Sequence, residues 1–476
     1  MILKCFIALI TIFFVPVQSR TALDDYIAKP DSHFAYQKIN SLKGVGWDGH
    51  VFNMTSQRWL NDSIVSRSIW WHHVVMIIPH QLKYQEKSIL FIGGGHNTDN
   101  IPNHKNEQVL LGSDLALRTN SIVTILYQVP NQPIVFYNDA ERKPRSEDDA
   151  IAATWSTFLE NPSESHEWPM RLPMTKSVIR CMDMVESIFP AIPNHQFIIM
   201  GASKRGWTTY TTAATDKRVI GAVPIVMDML NMLPSIHHMY KSYGGWTFAF
   251  KDYWNFDILE KIDTPEMLLL AEIEDPYTYI DRYTMPKLVV NAGNDEFFMM
   301  DNTYFWWDKL PEPKYRLVVQ NADHSMATGF EEALPSIAVW VTQVFDRVEL
   351  PKLSWSIDWE KSFISAKSSV QPKKVLLWYT TTCDTQRRDF RILNLNNPCQ
   401  CGISYQDYCT NLKVLYRHKE INYPYEYSGA NSQQWTAFFM EFQYESGLIL
   451  TTEACITPNT FPFADCSGKE CQGKLV

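Results

Sequence analysis

Residues 195–227, HQFIIMGASKRGWTTYTTAATDKRVIGAVPIVM, decide the fold. Residues 196–200 are an apolar run of strand length that stops at Gly201-Ala202-Ser203-Lys204-Arg205-Gly206. Residues 207–215 continue as a helix, and a second apolar run, 219–227, is the next parallel strand. Strand, tight turn and helix make the context of a nucleophile elbow. There a serine is held on a strained backbone with its hydroxyl clear, and the helix N-terminus aims N–H groups at the place where an oxyanion develops. The usual spacing is Gly-x-Ser-x-Gly; here the second glycine is Gly206, and Arg205 occupies the crowded position. A glycine-punctuated turn with an ordinary surface serine is the plainer alternative, so the rest of the chain has to decide.

Upstream, after a short leader at 23–30, strands at 51–60, 69–79 and 88–92 are separated by polar turns and suit the antiparallel start of an otherwise parallel sheet. The last of them ends in Gly93-Gly94-Gly95-His96. Glycines after a buried strand let backbone N–H groups face a ligand, so Gly94 and Gly95, with the N–H of Lys204, are the candidate oxyanion donors. His96 and Asn97 are expected to line the same pocket. A strand at 121–128 and helices at 147–159 and 176–189 then lead to the elbow strand, the alternation of a doubly wound parallel sheet. Past Met227, residues 228–285 have helical periodicity, many aromatics and no clear strand. An insertion there, about 229–285, is expected to cap the C-terminal edge of the sheet, with most of its aromatics in the core and a few reaching the pocket.

The sheet resumes at 287–291, followed by Asn294-Asp295-Glu296, and ends at 315–319, followed by Asp323-His324; a helix at 331–348 closes it. Ser203, Asp295 and His324, each just past a strand end, stand in the order of an α/β-hydrolase triad. Asp228, after the strand that follows the elbow, is the alternative acid, and Glu296 a weaker one. Lys204 either places a cation near the developing oxyanion or pairs with an acidic side chain.

At 476 residues the chain exceeds one ordinary core. Two domains are expected: an α/β-hydrolase-like one over 20–350, and a disulfide-containing, β-rich and sandwich-like one over 351–476. With 45% hydrophobic and 20% charged residues the chain should bury large cores, and a net charge of -9 without a basic stripe argues against nucleic acid. Residues 1–19 have the basic, apolar and small-residue sections of a signal peptide, and no later stretch is long and apolar enough to span a membrane. Secretion, or residence in the lumen of the secretory pathway, is therefore expected. Loss of Cys5 with that segment leaves eight cysteines, seven of them after residue 380. Either Cys181 bridges to the C-terminal region or it stays a buried thiol along with one other. The sequons at Asn53 and Asn61 suit glycosylation in the same pathway. The absence of CxxC pairs and of HExxH speaks against a zinc site, and no cofactor is expected.

Several longer motifs point in one direction. They include Leu23-Asp24-Asp25-Tyr26, Pro30-Asp31, Ser56-Gln57-Arg58-Trp59-Leu60, Gln128-Val129-Pro130-Asn131-Gln132-Pro133 and Glu147-Asp148. Further along are Leu172-Pro173-Met174-Thr175-Lys176, the elbow itself, Asp228-Met229-Leu230-Asn231-Met232, Asn294-Asp295-Glu296-Phe297-Phe298, Trp378 and Arg388-Asp389-Phe390-Arg391. In these the chain resembles the PhoPQ-activated pathogenicity-related protein family, from residue 23 to about 391; the cysteine-rich tail shows no match. The resemblance implies an α/β-hydrolase-like domain followed by a β-rich one. The family includes secreted autocrine proliferation repressors, so two functions stay open. One is a secreted serine hydrolase cleaving an ester or peptide bond: Ser203 attacks, His324 is general base and then acid, and Asp295 orients it. The other is a non-catalytic signalling protein that offers the fold as a binding surface to a cell-surface receptor.

Overall fold

The computed structural model describes residues 20–192, 194–396, 399–429 and 433–476; the expected signal peptide lies outside them. Where a leader is expected, a capping box between Thr21 and Asp24 starts helix α1 (Ala22–Ala28). Strands β1 (Ala35–Gly44), β2 (Trp47–Arg58), β3 (Ile69–Pro79) and β4 (Tyr84–Ile92) follow, then α2 (Glu107–Thr119) and β5 (Ser121–Leu126). Next come α3 (Glu147–Glu160), α4 (Arg171–Ile188), β6 (Gln196–Ala202), α5 (Lys204–Thr215) and β7 (Val219–Ile225). Helices α6 (Met232–Tyr243), α7 (Lys251–Asn255) and α8 (Pro265–Glu274), joined by short 3-10 turns, form the insertion. Strands β8 (Lys287–Ala292) and β9 (Lys314–Val319) and helix α9 (Phe330–Asp346) complete the α/β part.

The nine strands make one sheet in the order β1-β2-β3-β5-β4-β6-β7-β8-β9. The antiparallel start consists of β1, β2 and β3, while β4 lies inside the parallel part between β5 and β6, which corrects its expected place beside β3. Strand β1 and helix α2 are absent from the sequence expectations. The side chains of β1 are almost all exposed, because it is an edge strand, so no apolar alternation marks it. Helix α2 is set off by Asn106, whose side chain accepts from the N–H groups of Gln108 and Val109.

Alternating residues feed two cores, one on each face. Val74, Met76, Leu90, Phe197 and Ile199 face α3, α4, α5 and the cap, whereas Val75, Ile77, Ile89, Ile198 and Met200 face α2 and α9. The second core continues into the C-terminal region through Leu377, Phe438, Met440 and Leu450.

That region is β-rich. One sheet pairs Leu353–Asp358, Phe363–Ser368 and Tyr425–Ser428, and a second is built on Lys374–Thr381 and Thr436–Gln443. Rings of the two sheets meet across the gap, Tyr425 on Phe442 at 5.2 Å and Tyr427 on Phe438 at 4.9 Å, as sandwiched sheets do. Disulfides join Cys383–Cys401, Cys399–Cys409 and Cys466–Cys471, while Cys181 and Cys455 are buried free thiols. Of the two arrangements left open for Cys181, the structure therefore adopts the unbridged one. Among the described residues no helix is long and apolar enough to cross a membrane.

One buried ion pair ties the cap to the elbow. Arg171 on α4 donates to Glu274 at the end of α8 at 3.1 Å, to the Lys204 carbonyl at 2.5 Å and to the Thr208 hydroxyl at 3.0 Å. The Trp155 indole also donates to Glu274, at 3.0 Å. Both charges are out of contact with water, so truncating one strands the other. Glu274→Ala should destabilise the fold by about 3–5 kcal/mol in denaturant unfolding, whereas a loss below about 1 kcal/mol would mean that water reaches Arg171.

Candidate active site

Ser203 has φ 57° and ψ -127°, a conformation side chains rarely adopt, between the last residue of β6 and the first of α5. Its N–H donates to the Ile225 carbonyl of β7 at 2.8 Å, which pins the turn to the neighbouring strand. The two elbow glycines are required by close approach. A Cβ on Gly201 would lie 2.7 Å from the Arg205 carbonyl oxygen, and one on Gly206 would lie 2.8 Å from that of Ile225. Helix α5 starts at Lys204, three residues earlier than expected, so its first N–H groups border the serine directly.

The loops after β8 and β9 bring the other candidates to Ser203. His324 Nε2 lies 2.8 Å from Ser203 Oγ, and His324 Nδ1 lies 2.9 Å from each Asp295 carboxylate oxygen. A carboxylate only accepts, so Nδ1–H donates to Asp295 and Nε2 is left to accept the Ser203 hydroxyl. The N–H groups of Phe297 and Phe298 donate to Asp295 Oδ1 at 2.7 and 3.1 Å, which fixes the carboxylate. Phe297 packs on the imidazole with ring centroids 4.2 Å apart. Glu296 accepts the His324 backbone N–H at 2.9 Å. Burial lowers the imidazole pKa, but the charge and hydrogen bond of Asp295 and the charge of Glu296 outweigh it, and the pKa stands above the usual value.

Asp228, the alternative acid, is directed elsewhere. It is buried, accepts the Trp306 indole N–H at 2.8 Å and lies 3.9 Å from Arg316. Burial pushes its carboxyl up to about 7, so near neutrality it is a poor anionic support for an imidazolium.

Lys204 pairs with acidic side chains, Glu147 at 2.9 Å and Asp148 at 3.0 Å. Arg205 reaches the other oxygen of Glu147 at 2.6 Å and donates to the Val129 carbonyl at 2.7 Å. Its guanidinium lies under Gly94, where a Cβ would approach Nη2 to 2.9 Å. The residue that makes the elbow unusual thus braces the glycine loop. Gln132 completes the brace, donating to the Gly95 carbonyl at 3.3 Å and to Glu147 at 2.5 Å. Gly94 lines the same open cleft as Ser203, Lys204 and His324; Gly95, His96 and Asn97 are not in that lining, and the Asn97 N–H turns to the Gln132 carbonyl at 2.5 Å. Glu147, Asp148 and Gln132 went unassigned in the sequence because each acts across the fold; their only signal was membership of quoted motifs.

A second, narrow cavity also reaches Ser203 and Lys204, beneath the cap. Its walls include Trp155, Trp207, Phe250, Tyr253, Phe297 and Phe298. Of the cap aromatics, Phe250 and Tyr253 reach it, Tyr243 and Trp246 are buried in the core, and Tyr240, Trp254 and Phe256 pack half-buried against it. Elsewhere, Asn53 is exposed on β2 and Asn61 is half-buried, its side chain accepting from Ser63.

The model of the PhoPQ-activated pathogenicity-related protein family matches residues 23–391. The chain belongs to this family. The chain is also similar to autocrine proliferation repressor protein A of Dictyostelium discoideum, 34% identical over 94% of this chain and 92% of its own. Among solved structures, acetyl xylan esterase 1 from Thermoanaerobacterium sp. JW/SL YS485 is 12% identical over 69% of this chain and 92% of its own, with a TM-score of 0.46. The acetyl xylan esterase from Paenibacillus sp. R4 is 15% identical over 67% and 90%, also at 0.46. Neither likeness bears on what a member of the family acts on.

Glu296→Gln keeps an acceptor for the His324 N–H and removes a charge that raises the imidazole pKa. The His324 ring should therefore titrate at lower pH in this variant, as followed by NMR; an unmoved titration would show that Glu296 is electrostatically silent.

Proposed function

We propose that the protein is a secreted serine hydrolase that cleaves an ester or peptide bond. The observation that carries this is the continuous chain from Ser203 Oγ through His324 to Asp295, at 2.8 Å and 2.9 Å. In the mechanism, Oγ attacks the carbonyl carbon as Nε2 takes its proton, and Asp295 holds the imidazole in the required tautomer and stabilises the imidazolium. The proton then passes to the leaving group, and water repeats the sequence on the acyl-enzyme. The N–H groups of Lys204 and of Gly94 are the oxyanion donors; neither has an internal partner among the described residues, and both residues line the cleft at Ser203. Gly95 supports the loop through its carbonyl. Residues 1–19 direct export and are removed, and the three disulfides and the sequons at Asn53 and Asn61 accord with that route.

A second reading has its own support in the relative named as a proliferation repressor. In it the protein signals to a cell-surface receptor, and the fold serves as a binding surface.

A fluorophosphonate probe separates the two. It should label the purified protein at Ser203 and leave Ser203→Ala unlabelled but folded, whereas an unlabelled wild type would favour the signalling reading. Asp295→Asn should lower turnover by on the order of 10⁴-fold, as loss of the tautomer support does elsewhere. Asp228→Asn should change it little; the reverse ranking would make Asp228 the acid.

A further inference from the structure

We infer that the substrate is an ester whose acyl part is an apolar chain, seated in the narrow cavity between the cap and α5 that opens at Ser203. This rests on Ser203 being the nucleophile. Two cavities meet at this serine and differ in kind. The open cleft is mixed, with Gly94, Glu107 and His324 beside Leu111, Phe297 and Phe330. It therefore holds the Gly94 oxyanion donor and the imidazole that returns a proton to the leaving group, while Lys204 borders both cavities. The narrow cavity contains neither His324 nor the glycine loop; it is walled by aromatic rings with Met229, Ile236, Leu259, Ile262 and Met267. An ester bound for attack must direct its leaving oxygen toward Nε2, so the alcohol lies in the open cleft and the acyl chain points the other way, under the cap.

The polar groups in the narrow cavity exclude other acyl parts. Asp148 and Lys204 pair with one another at 3.0 Å, and the Tyr253 hydroxyl donates to Asp148 at 3.0 Å. Lys204 and Arg205 together balance Glu147 and Asp148, leaving no free charge for an ionic acyl group. The acyl half of a peptide would bring backbone N–H and C=O groups into a lining whose polar atoms are already committed, at an unpaired-amide penalty. A hydrocarbon chain carries no such groups. In the reaction the Ser203 Oγ–acyl bond forms as the ester C–O bond breaks, and the serine proton goes through His324 to the alcohol. Water then releases the carboxylic acid.

The test is a series of p-nitrophenyl esters from acetate to dodecanoate with the full-length protein, alongside fluorophosphonate labelling of Ser203. We expect kcat/KM to rise roughly fourfold per methylene from acetate upward, the value of burying one such group, until the cavity is filled. Ile236→Phe, which fills the cavity, should lower the octanoate-to-acetate ratio by about tenfold or more. Leu259→Phe, on another wall, should do the same and serves if the first variant does not fold. A flat or falling profile with Ser203 labelled would overturn the acyl-chain inference and leave the hydrolase standing. Labelling without turnover of any ester would also overturn it, and absence of both labelling and turnover would remove the hydrolase reading itself.

Discussion

The structure depends on one costly backbone turn. At φ 57° Ser203 holds a conformation that costs of order 1–3 kcal/mol, and it persists because everything around it is over-determined. Its N–H is taken by Ile225, and the flanking glycines let two strands and a helix approach more closely than any side chain would allow. Thr208, Thr209, Thr211 and Thr215 of α5 return their hydroxyls to their own helix carbonyls, Thr208 to Lys204 and Thr209 to Arg205 each at 2.9 Å. A polar helix can thus lie buried against the sheet with most of its hydroxyls paired; among the described residues those of Tyr210 and Thr212 have no partner. Arg171 then grips the first turn through the Lys204 carbonyl and joins it to the cap.

The same turn places two cations, Lys204 and Arg205, in largely buried surroundings beside a hydroxyl. Alone they would be costly; Glu147 and Asp148 at the start of α3 neutralise them. Flanked by both cations, the Glu147 carboxyl is held well below its usual range against the opposing effect of burial. Because Arg205 also carries the glycine loop and Gln132 links that loop to Glu147, the loop, the elbow and α3 form one hydrogen-bonded unit. A disturbance at Glu147 would reach Gly94 without any direct contact between them.

The C-terminal region, in which the sequence shows no chemistry, supports the acid loop. The Asn294 side chain, next to Asp295, donates to the Phe390 carbonyl at 2.7 Å and to that of Val414 at 3.1 Å, and the Ile392 N–H donates to the Asn294 carbonyl at 3.2 Å. The Val318 N–H on β9, ahead of the His324 loop, is taken by the Thr451 hydroxyl at 3.0 Å. Two of the three loops that meet at the serine are therefore held from behind by the β-rich part, which shares a core with the sheet.

What could be read from the sequence was local or periodic. Apolar runs of strand length, helical periodicity and glycines at a strand-to-helix junction mark β6, α5 and β7, because each reports neighbours within a few residues. The order of Ser203, Asp295 and His324 at strand ends was legible for the same reason. Strand β1 was not, since an exposed edge strand leaves no alternation, and the place of β4 beyond β5 was not, since strand order is set by crossovers rather than by succession. Only the tertiary structure chose Asp295 over Asp228 as the partner of His324, because that choice turns on which carboxylate a loop presents and which is sealed against Trp306. It likewise decided that Lys204 is paired rather than free. Its partners are over fifty residues away along the chain, and charge pairing across that separation leaves no periodic trace for a sequence to carry.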